Sequence, residues 1–254
     1  MKLARFTLIK GQEIFGVVDG ELIKELENDF FHDQHKYTGT TYRLEEVSLL
    51  APTNPSKIIC IGVNYKDHAK EMNSQLPSEP LMFMKPNTTI IGPLGQIEYP
   101  EISKRVDYEG ELAVVIKAVT KKITPEEAPK SILGYTCAND VTARDLQLKD
   151  GQWTRGKSFD TFLPIGPWIE TELDPNNAEI YTRLNGEKVQ HSNTNQMVFP
   201  VYQLVSTISQ VMTLLPGDVI ITGTPSGVGQ IQPGDRIEVT IEGIGSLVNT
   251  VVAS

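Results

Sequence analysis

Two cysteines in 254 residues leave no disulfide framework to build on. Cys60 and Cys137 each lie in an apolar, strand-like run (57–61 and 132–138), the setting of buried free thiols in a reducing compartment rather than of a bridge or a metal pair. No run approaches the roughly 18 apolar residues that a membrane span needs. The opening Met1-Lys2-Leu3-Ala4-Arg5-Phe6 has neither the apolar core nor the cleavage site of a signal peptide, so a cytoplasmic chain without membrane contact is expected. Positive charge is also short: 23 Lys and Arg stand against 32 Asp and Glu, a net −9. That balance argues against nucleic acid and anionic membranes as partners, although a local metal or basic cluster can still hold a small anion. There is no Gly-x-Gly-x-x-Gly between a strand and a helix, and the Gly-rich segment 222–229 lacks the Gly-Lys-Ser/Thr of a phosphate loop. A nicotinamide or nucleotide enzyme is therefore disfavoured. Internal repeats and low-complexity segments are missing as well.

What is present is enough apolar residue, 39% of the chain, for a full core. The pattern is β-rich with a few short helices. Strands are expected at 2–9, 13–18, 21–26, 57–61, 81–85, 132–138, 180–184, 187–190, 219–222, 236–242 and 246–252. Asp19-Gly20 and Asn185-Gly186 are hairpin turns. Asn64 is a candidate cap for a short helix ending near Met72, and Thr124-Pro125-Glu126-Glu127 is a helix start. Helices are also expected over 142–149 and 200–214. Residues 1–52 read as a small N-terminal β-rich appendage, and 53–254 as the main domain.

The stretch Asp107-Tyr108-Glu109-Gly110-Glu111-Leu112-Ala113-Val114-Val115-Ile116 is the most informative. From Leu112 it is a continuous apolar, β-branched run, the composition of a strand buried on both faces. Yet Glu109 and Glu111 stand at its start, on one face and about 7 Å apart along the backbone. Two carboxylates entering a core repel each other and lose hydration. They need a cation between them, basic partners, or a proton on one of them. A hard divalent ion such as Mg²⁺ or Mn²⁺ suits oxygen ligands, while a strand end fraying into solvent is the plain alternative.

Two further groups carry potential chemistry. His68 and Glu71 are i and i+3 on a short helix, where the carboxylate would orient the imidazole and leave its other nitrogen as a base; an ordinary surface pair is the simpler reading. Asp140 sits at a strand-to-helix corner, a usual place for a functional side chain. The polar, proline-containing segment 73–80 after the short helix is a candidate lid. His32 and His35 read as solvent-exposed, and Lys85, ending an apolar strand before Pro86, is either near the site or structural and is left out of the site set.

Taken in order, the motifs resemble those of the fumarylacetoacetate hydrolase family, in its short acylpyruvase-like or oxaloacetate decarboxylase-like subgroup. They are Gly62-x-Asn64-Tyr65-x-x-His68-x-x-Glu71, Asp107-Tyr108-Glu109-x-Glu111-Leu112, Asn139-Asp140-Val141-Thr142-Ala143-Arg144-Asp145, Arg155-Gly156-Lys157-Ser158-Phe159-Asp160, Leu184-Asn185-Gly186-Glu187 with Asn193-Thr194, and Thr222-Gly223-Thr224-Pro225-x-Gly227-Val228-Gly229. The resemblance runs from about Ile58 to the C-terminus, and each motif is weak alone. It implies a β-rich α+β fold, a mixed β-sandwich roll, usually in a homodimer. It implies Glu109, Glu111 and Asp140 as ligands of one Mg²⁺ or Mn²⁺, His68 and Glu71 as a catalytic dyad on a lid, and Lys157 as the active-site lysine. Arg144, Gln147 and Thr224 match positions that hold the substrate's carboxylate or keto group. The implied substrate is a small anionic 2-oxo acid. The reaction expected first is C–C hydrolysis of an acylpyruvate to pyruvate and a carboxylate. Oxaloacetate decarboxylation or isomerisation of a 2-hydroxyhepta-2,4-dienedioate type are alternatives on the same site, and a metal-binding protein without turnover is the alternative of a different class.

Overall fold

The structure is a computed structural model and describes residues 1–8, 11–32, 35–71 and 76–254. Among these residues the strands form three sheets. The largest runs, edge to edge, through Tyr37–Arg43, Leu22–Leu26, Glu13–Asp19, Lys2–Thr7, Leu163–Glu170, Ile132–Asn139, Gly110–Ile116, Val219–Ile221, Ile58–Gly62 and Leu81–Lys85. A second sheet orders Glu187–Asn193, Glu179–Leu184, Arg236–Ile241, Gly245–Ala253 and Gln96–Tyr99. A small third one joins Thr142–Ala143, Val106–Tyr108 and Gly229–Ile231. Most pairings are antiparallel, but Val219–Ile221 lies parallel to Ile58–Gly62, and Gly245–Ala253 parallel to Gln96–Tyr99. The fold is thus β-rich α+β with mixed sheets: the strand and turn pattern predicts its β-rich character, and the family resemblance implies the mixed sheets.

The core explains why the strand Gly110–Ile116 is apolar throughout. Leu112, Val114 and Ile116 point into one cluster with Ile180, Val239 and Ile241 of the second sheet, while Ala113 packs on the opposite face with Cys60, Ala138 and Ile221. Side chains alternate across a strand, so burial on both faces requires apolar residues at every position. The helix Val201–Val211 covers the first cluster with Val201, Leu204, Val205 and Ile208, spaced along one helical face. It starts directly after Pro200, whose fixed φ of −60° suits the turn into a helix. Truncating Leu204 to Ala would remove about 2–5 kcal/mol.

The hairpin turn at Asn185-Gly186 is as expected, with φ of 52° and 90°, the left-handed values that a two-residue turn needs. Several boundaries move. The helix start at Thr124 becomes a turn in which Glu127 Oε2 accepts from Thr124 N at 2.8 Å, and the helix itself is only Ala128–Ser131. The segment 142–149 splits into the strand Thr142–Ala143 and the helix Arg144–Asp150. Asn64 does not cap the helix Lys66–Glu71. Its amide instead donates to Phe199 O and Thr222 O and accepts from Phe199 N, tying three segments together beside the site. Leu163–Glu170 is a strand hidden from sequence reading by its interior prolines, Pro164 and Pro167. The end of the first expected strand, the helix end at Met72 and the lid positions 73–75 lie outside the described residues. Among the described residues, no helix is long and apolar enough to cross a membrane.

Candidate active site and metal centre

Glu109 sits where the small sheet hands over to the large one. Val106–Tyr108 pairs with Thr142–Ala143 and Gly229–Ile231, whereas Gly110–Ile116 pairs with Ile132–Asn139. Asp140 follows that last strand directly, and its backbone N–H donates to Glu109 O at 2.8 Å. The antiparallel ladder therefore brings Asp140 against the Glu-x-Glu corner, with Gly110 opposite Asn139 and Glu111 opposite Ala138. Glu109, Glu111 and Asp140 are buried, and each offers a carboxylate oxygen within 4.8 Å of the others.

The cations around them are specific. Lys157 Nζ donates to Glu109 Oε2 (2.8 Å) and to Asp140 Oδ2 (2.6 Å). Lys85, ending its strand, donates to Asp140 Oδ1 (2.5 Å) and to Phe162 O (2.7 Å). Arg144 spreads its guanidinium over Asp107 Oδ2 (2.9 Å), Gln147 Oε1 (2.8 Å) and Glu109 Oε1. Asp107 also accepts from Arg105 Nε on Oδ1 at 2.9 Å. Among the described residues, Glu111 accepts one hydrogen bond, from the backbone N–H of Gly223 to Oε2.

The electrostatics follow from that division. Burial pushes the Glu109 carboxyl up, but Lys157 and Arg144 win and hold it at about 2. Glu111 goes the other way: burial, then Asp140 and Glu109, push it well above the ordinary range. Burial lowers the Lys157 ammonium, but Asp140 and Glu109 outweigh it and keep the group charged. Four carboxylates (Asp107, Glu109, Glu111, Asp140) thus share three largely buried cations (Lys85, Arg144, Lys157). The donor set fits a hard divalent cation. It offers clustered carboxylate oxygens, one of which has a single hydrogen bond and a deficit of positive charge.

Glu109, Glu111, Asp140, Arg144 and Lys157 line one cavity of about 330 Å³, together with His68, Gln147, Thr224, Ile61, Gly62, Val63, Phe83, Leu148 and Trp153. His68 Nδ1 lies 3.1 Å from Glu71 Oε2, and Gly227 N–H donates to both oxygens of the same carboxylate, at 3.1 and 3.2 Å. The pair is therefore anchored to the Gly-rich loop, and the imidazole ring lines the cavity. Asp67 secures the helix from its other side by accepting from Ser192 Oγ at 3.0 Å.

Every site residue singled out in the sequence, His68, Glu71, Glu109, Glu111, Asp140, Arg144, Gln147, Lys157 and Thr224, comes to this cavity or to a residue that lines it. Thr224 has its hydroxyl occupied: Gln190 Nε2 donates to it (2.9 Å) and it donates to Gly110 O (2.9 Å). Gln190 is forced into that orientation because its Oε1 accepts from Gly110 N–H. Sequence reasoning missed Gln190, Lys85, Phe83 and Trp153. Lys85 carried the one usable signal, a charge closing an apolar strand. His32 pairs with Asp29 at the surface, and among the described residues neither His32 nor His35 joins a metal-like group.

Comparison with known proteins agrees with this geometry. Residues 57–252 match the profile described as fumarylacetoacetate (FAA) hydrolase C-terminal, and residues 1–52 match one described as Rv2993c-like, N-terminal. The chain is 48% identical over 248 residues to protein Rv2993c of Mycobacterium tuberculosis, covering 94% of this chain and 93% of that one. It is 46% identical over 219 residues to the mitochondrial oxaloacetate tautomerase Fahd2a of Rattus norvegicus, covering 82% of this chain and 70% of the relative. The crystal structure of 5-carboxymethyl-2-hydroxymuconate delta-isomerase from Mycobacterium smegmatis superposes with a TM-score of 0.93 at 46% identity over the full length of both chains. Motifs, fold and cavity converge on one assignment: the chain belongs to the fumarylacetoacetate hydrolase family.

Proposed function

We propose that the protein is a Mg²⁺- or Mn²⁺-dependent enzyme that enolises small 2-oxo acids, moving a proton at the carbon next to the 2-oxo group. The observation that carries this reading is the meeting, in one cavity, of the Glu109–Glu111–Asp140 cluster, a charged lysine and an imidazole oriented by a carboxylate. A divalent cation held by the three carboxylates would supply the positive charge that polarises the 2-oxo group.

The chain's own residues account for the rest. An ammonium has three hydrogens, and Lys157 uses two on Glu109 and Asp140, so the third is free for the oxygen that gains charge on enolisation. Arg144 has five N–H donors and commits three, leaving two for the substrate carboxylate. Gln147 turns its oxygen to Arg144, which leaves its NH₂ for the same group. His68, oriented by Glu71, takes the C3 proton while the 2-oxygen gains charge and then a proton, giving the enol; in the ketonising direction the enol O–H proton is lost and His68 returns a proton to C3, with no carbon–carbon bond broken. Relatives whose names describe a tautomerase and an isomerase support this order of events.

Acylpyruvate hydrolysis is the second reading, favoured by the space beyond the charged groups. There His68 directs water onto the C4 carbonyl, the C3–C4 bond breaks, its electron pair stays on C3 as the enolate, and a proton returned to C3 gives pyruvate and a carboxylate. Initial rates of enol-oxaloacetate ketonisation and of acetylpyruvate loss, each with Mn²⁺ and with excess EDTA, test both. Metal-dependent ketonisation supports the first reading, and metal-dependent acetylpyruvate loss the second. No metal-dependent rate on either contradicts both.

A further inference from the structure

The cavity has two unlike halves. One side is the carboxylate cluster with its lysine and arginine. The other is an apolar wall of Ile61, Val63, Phe83, Leu148 and Trp153. Its centre is an aromatic pair: the Phe83 and Trp153 rings meet edge to face, centroids 5.0 Å apart at 75°. Lys157 marks the boundary, its Nζ lying 5.3 Å from the centroid of the Phe83 ring while it bonds the carboxylates on its other side. The Trp153 ring reaches this position because residue 62 has no side chain. A Cβ on Gly62 would stand 2.6 Å from Trp153 Cη2 and Cζ3.

Among the described residues lining the cavity, the Lys and Arg side chains are Arg144 and Lys157, both already bound to the carboxylate side. A second carboxylate lying against the aromatic wall would lose its hydration, and the cation beside that wall, Lys157, is already committed to Glu109 and Asp140. An uncharged, flat tail would gain ring contacts instead.

We infer that the Phe83–Trp153 wall is a tail subsite for 2-oxo acids whose far end is apolar and planar, such as an aryl or unsaturated alkyl group, rather than a second carboxylate. The inference rests on the 2-oxo acid reading above and adds to it the class of the tail. Trp153 is the specificity-determining residue, and Gly62 makes room for it.

Calorimetric titration of the Mn²⁺-loaded protein tests the subsite with probes that undergo no net conversion, since reversible enolisation returns each to its keto form: oxalate for the shared end, then 2-oxobutanoate, 2-oxo-4-phenylbutanoate and 2-oxoglutarate for the tail. The wild type should bind the phenyl compound about tenfold more tightly than 2-oxobutanoate, and 2-oxoglutarate more weakly than either. Trp153→Ala and Gly62→Ala should each reduce the phenyl preference to about twofold, while Trp153→Phe keeps most of it. Equal affinity for the phenyl and ethyl tails in the wild type, tightest binding of 2-oxoglutarate, or a full phenyl preference in Trp153→Ala would each overturn the subsite. Failure of oxalate and of every 2-oxo acid to bind the wild type would instead refute the 2-oxo acid reading, and the subsite with it.

Discussion

Two buried acidic regions of this molecule look alike in sequence and differ in kind. Asp218, in the turn Pro216-Gly217-Asp218, is fully buried and saturated. Its Oδ1 accepts from Ser56 N (3.1 Å), Ser56 Oγ (2.7 Å) and Lys57 N (3.2 Å), and its Oδ2 from Lys57 Nζ (2.5 Å) and Leu215 N (2.7 Å). Glu111, as deeply buried, has one backbone donor and two carboxylate neighbours. A saturated carboxylate is a fastening, here between the 216–218 turn and the start of the strand Ile58–Gly62. An undersupplied one among like charges costs stability unless something binds it, and that is the signature of a ligand site.

The sharpest test of the contrast is to separate chemistry from fastening. His68→Gln should lower turnover of whichever 2-oxo acid is processed by about 10²–10⁴-fold. Its Mn²⁺ affinity should stay within about twofold of wild type, since His68 bonds none of the three carboxylates; a parallel fall in both would remove the role given to it. Asp218→Asn should behave in the opposite way. It sets an amide against two donors and strands Lys57, at a cost of about 3 kcal/mol in urea unfolding, with turnover per folded molecule retained.

A smaller effect is the pH dependence of the metal-free fold. Glu111 is raised when folded, so its contribution is fully present below about pH 4.3, the ordinary carboxylate value, and is lost as the pH rises through its folded value. Glu109, held at about 2, contributes in the opposite sense: its stability is present above about pH 4.3 and lost as the pH falls towards 2. In EDTA, melting temperature should therefore decline from weakly acidic to neutral pH in the wild type, and that decline should flatten in Glu111→Gln. An identical slope in both proteins would show that Glu111 is not the undersupplied group.

How much of this was readable in the chain follows the range of each contact. Glu109 and Glu111 announce themselves because two charges interrupt an apolar strand, and His68 with Glu71 because helical spacing is local. Asp140 needed the family motif, since its neighbour across the ladder is set by pairing of separate strands. The partners of Lys85 and Gln190 were not legible: Lys85 meets Asp140 across 55 positions and Gln190 meets Thr224 across 34. Nothing in the spacing of a lone Lys or Gln records such a partner. Trp153 shows the same limit, because its place depends on a glycine 91 positions earlier, at 62. The β architecture was legible through its turns, and Leu163–Glu170 was not because prolines mask it. The expectation of hydrolysis as the first reaction came from the resemblance to the short acylpyruvase-like subgroup. The relatives carry tautomerase, isomerase and hydrolase names.

The central claim is that the Glu109–Glu111–Asp140 cluster exists to hold one divalent cation. Calorimetric titration of EDTA-stripped protein with Mn²⁺, for wild type, Glu111→Gln and Asp218→Asn side by side, tests it most directly. The account predicts one ion per chain in wild type and in Asp218→Asn, and an affinity at least about 100-fold weaker in Glu111→Gln. Equal Mn²⁺ binding by wild type and Glu111→Gln, or none by the wild type, would contradict it.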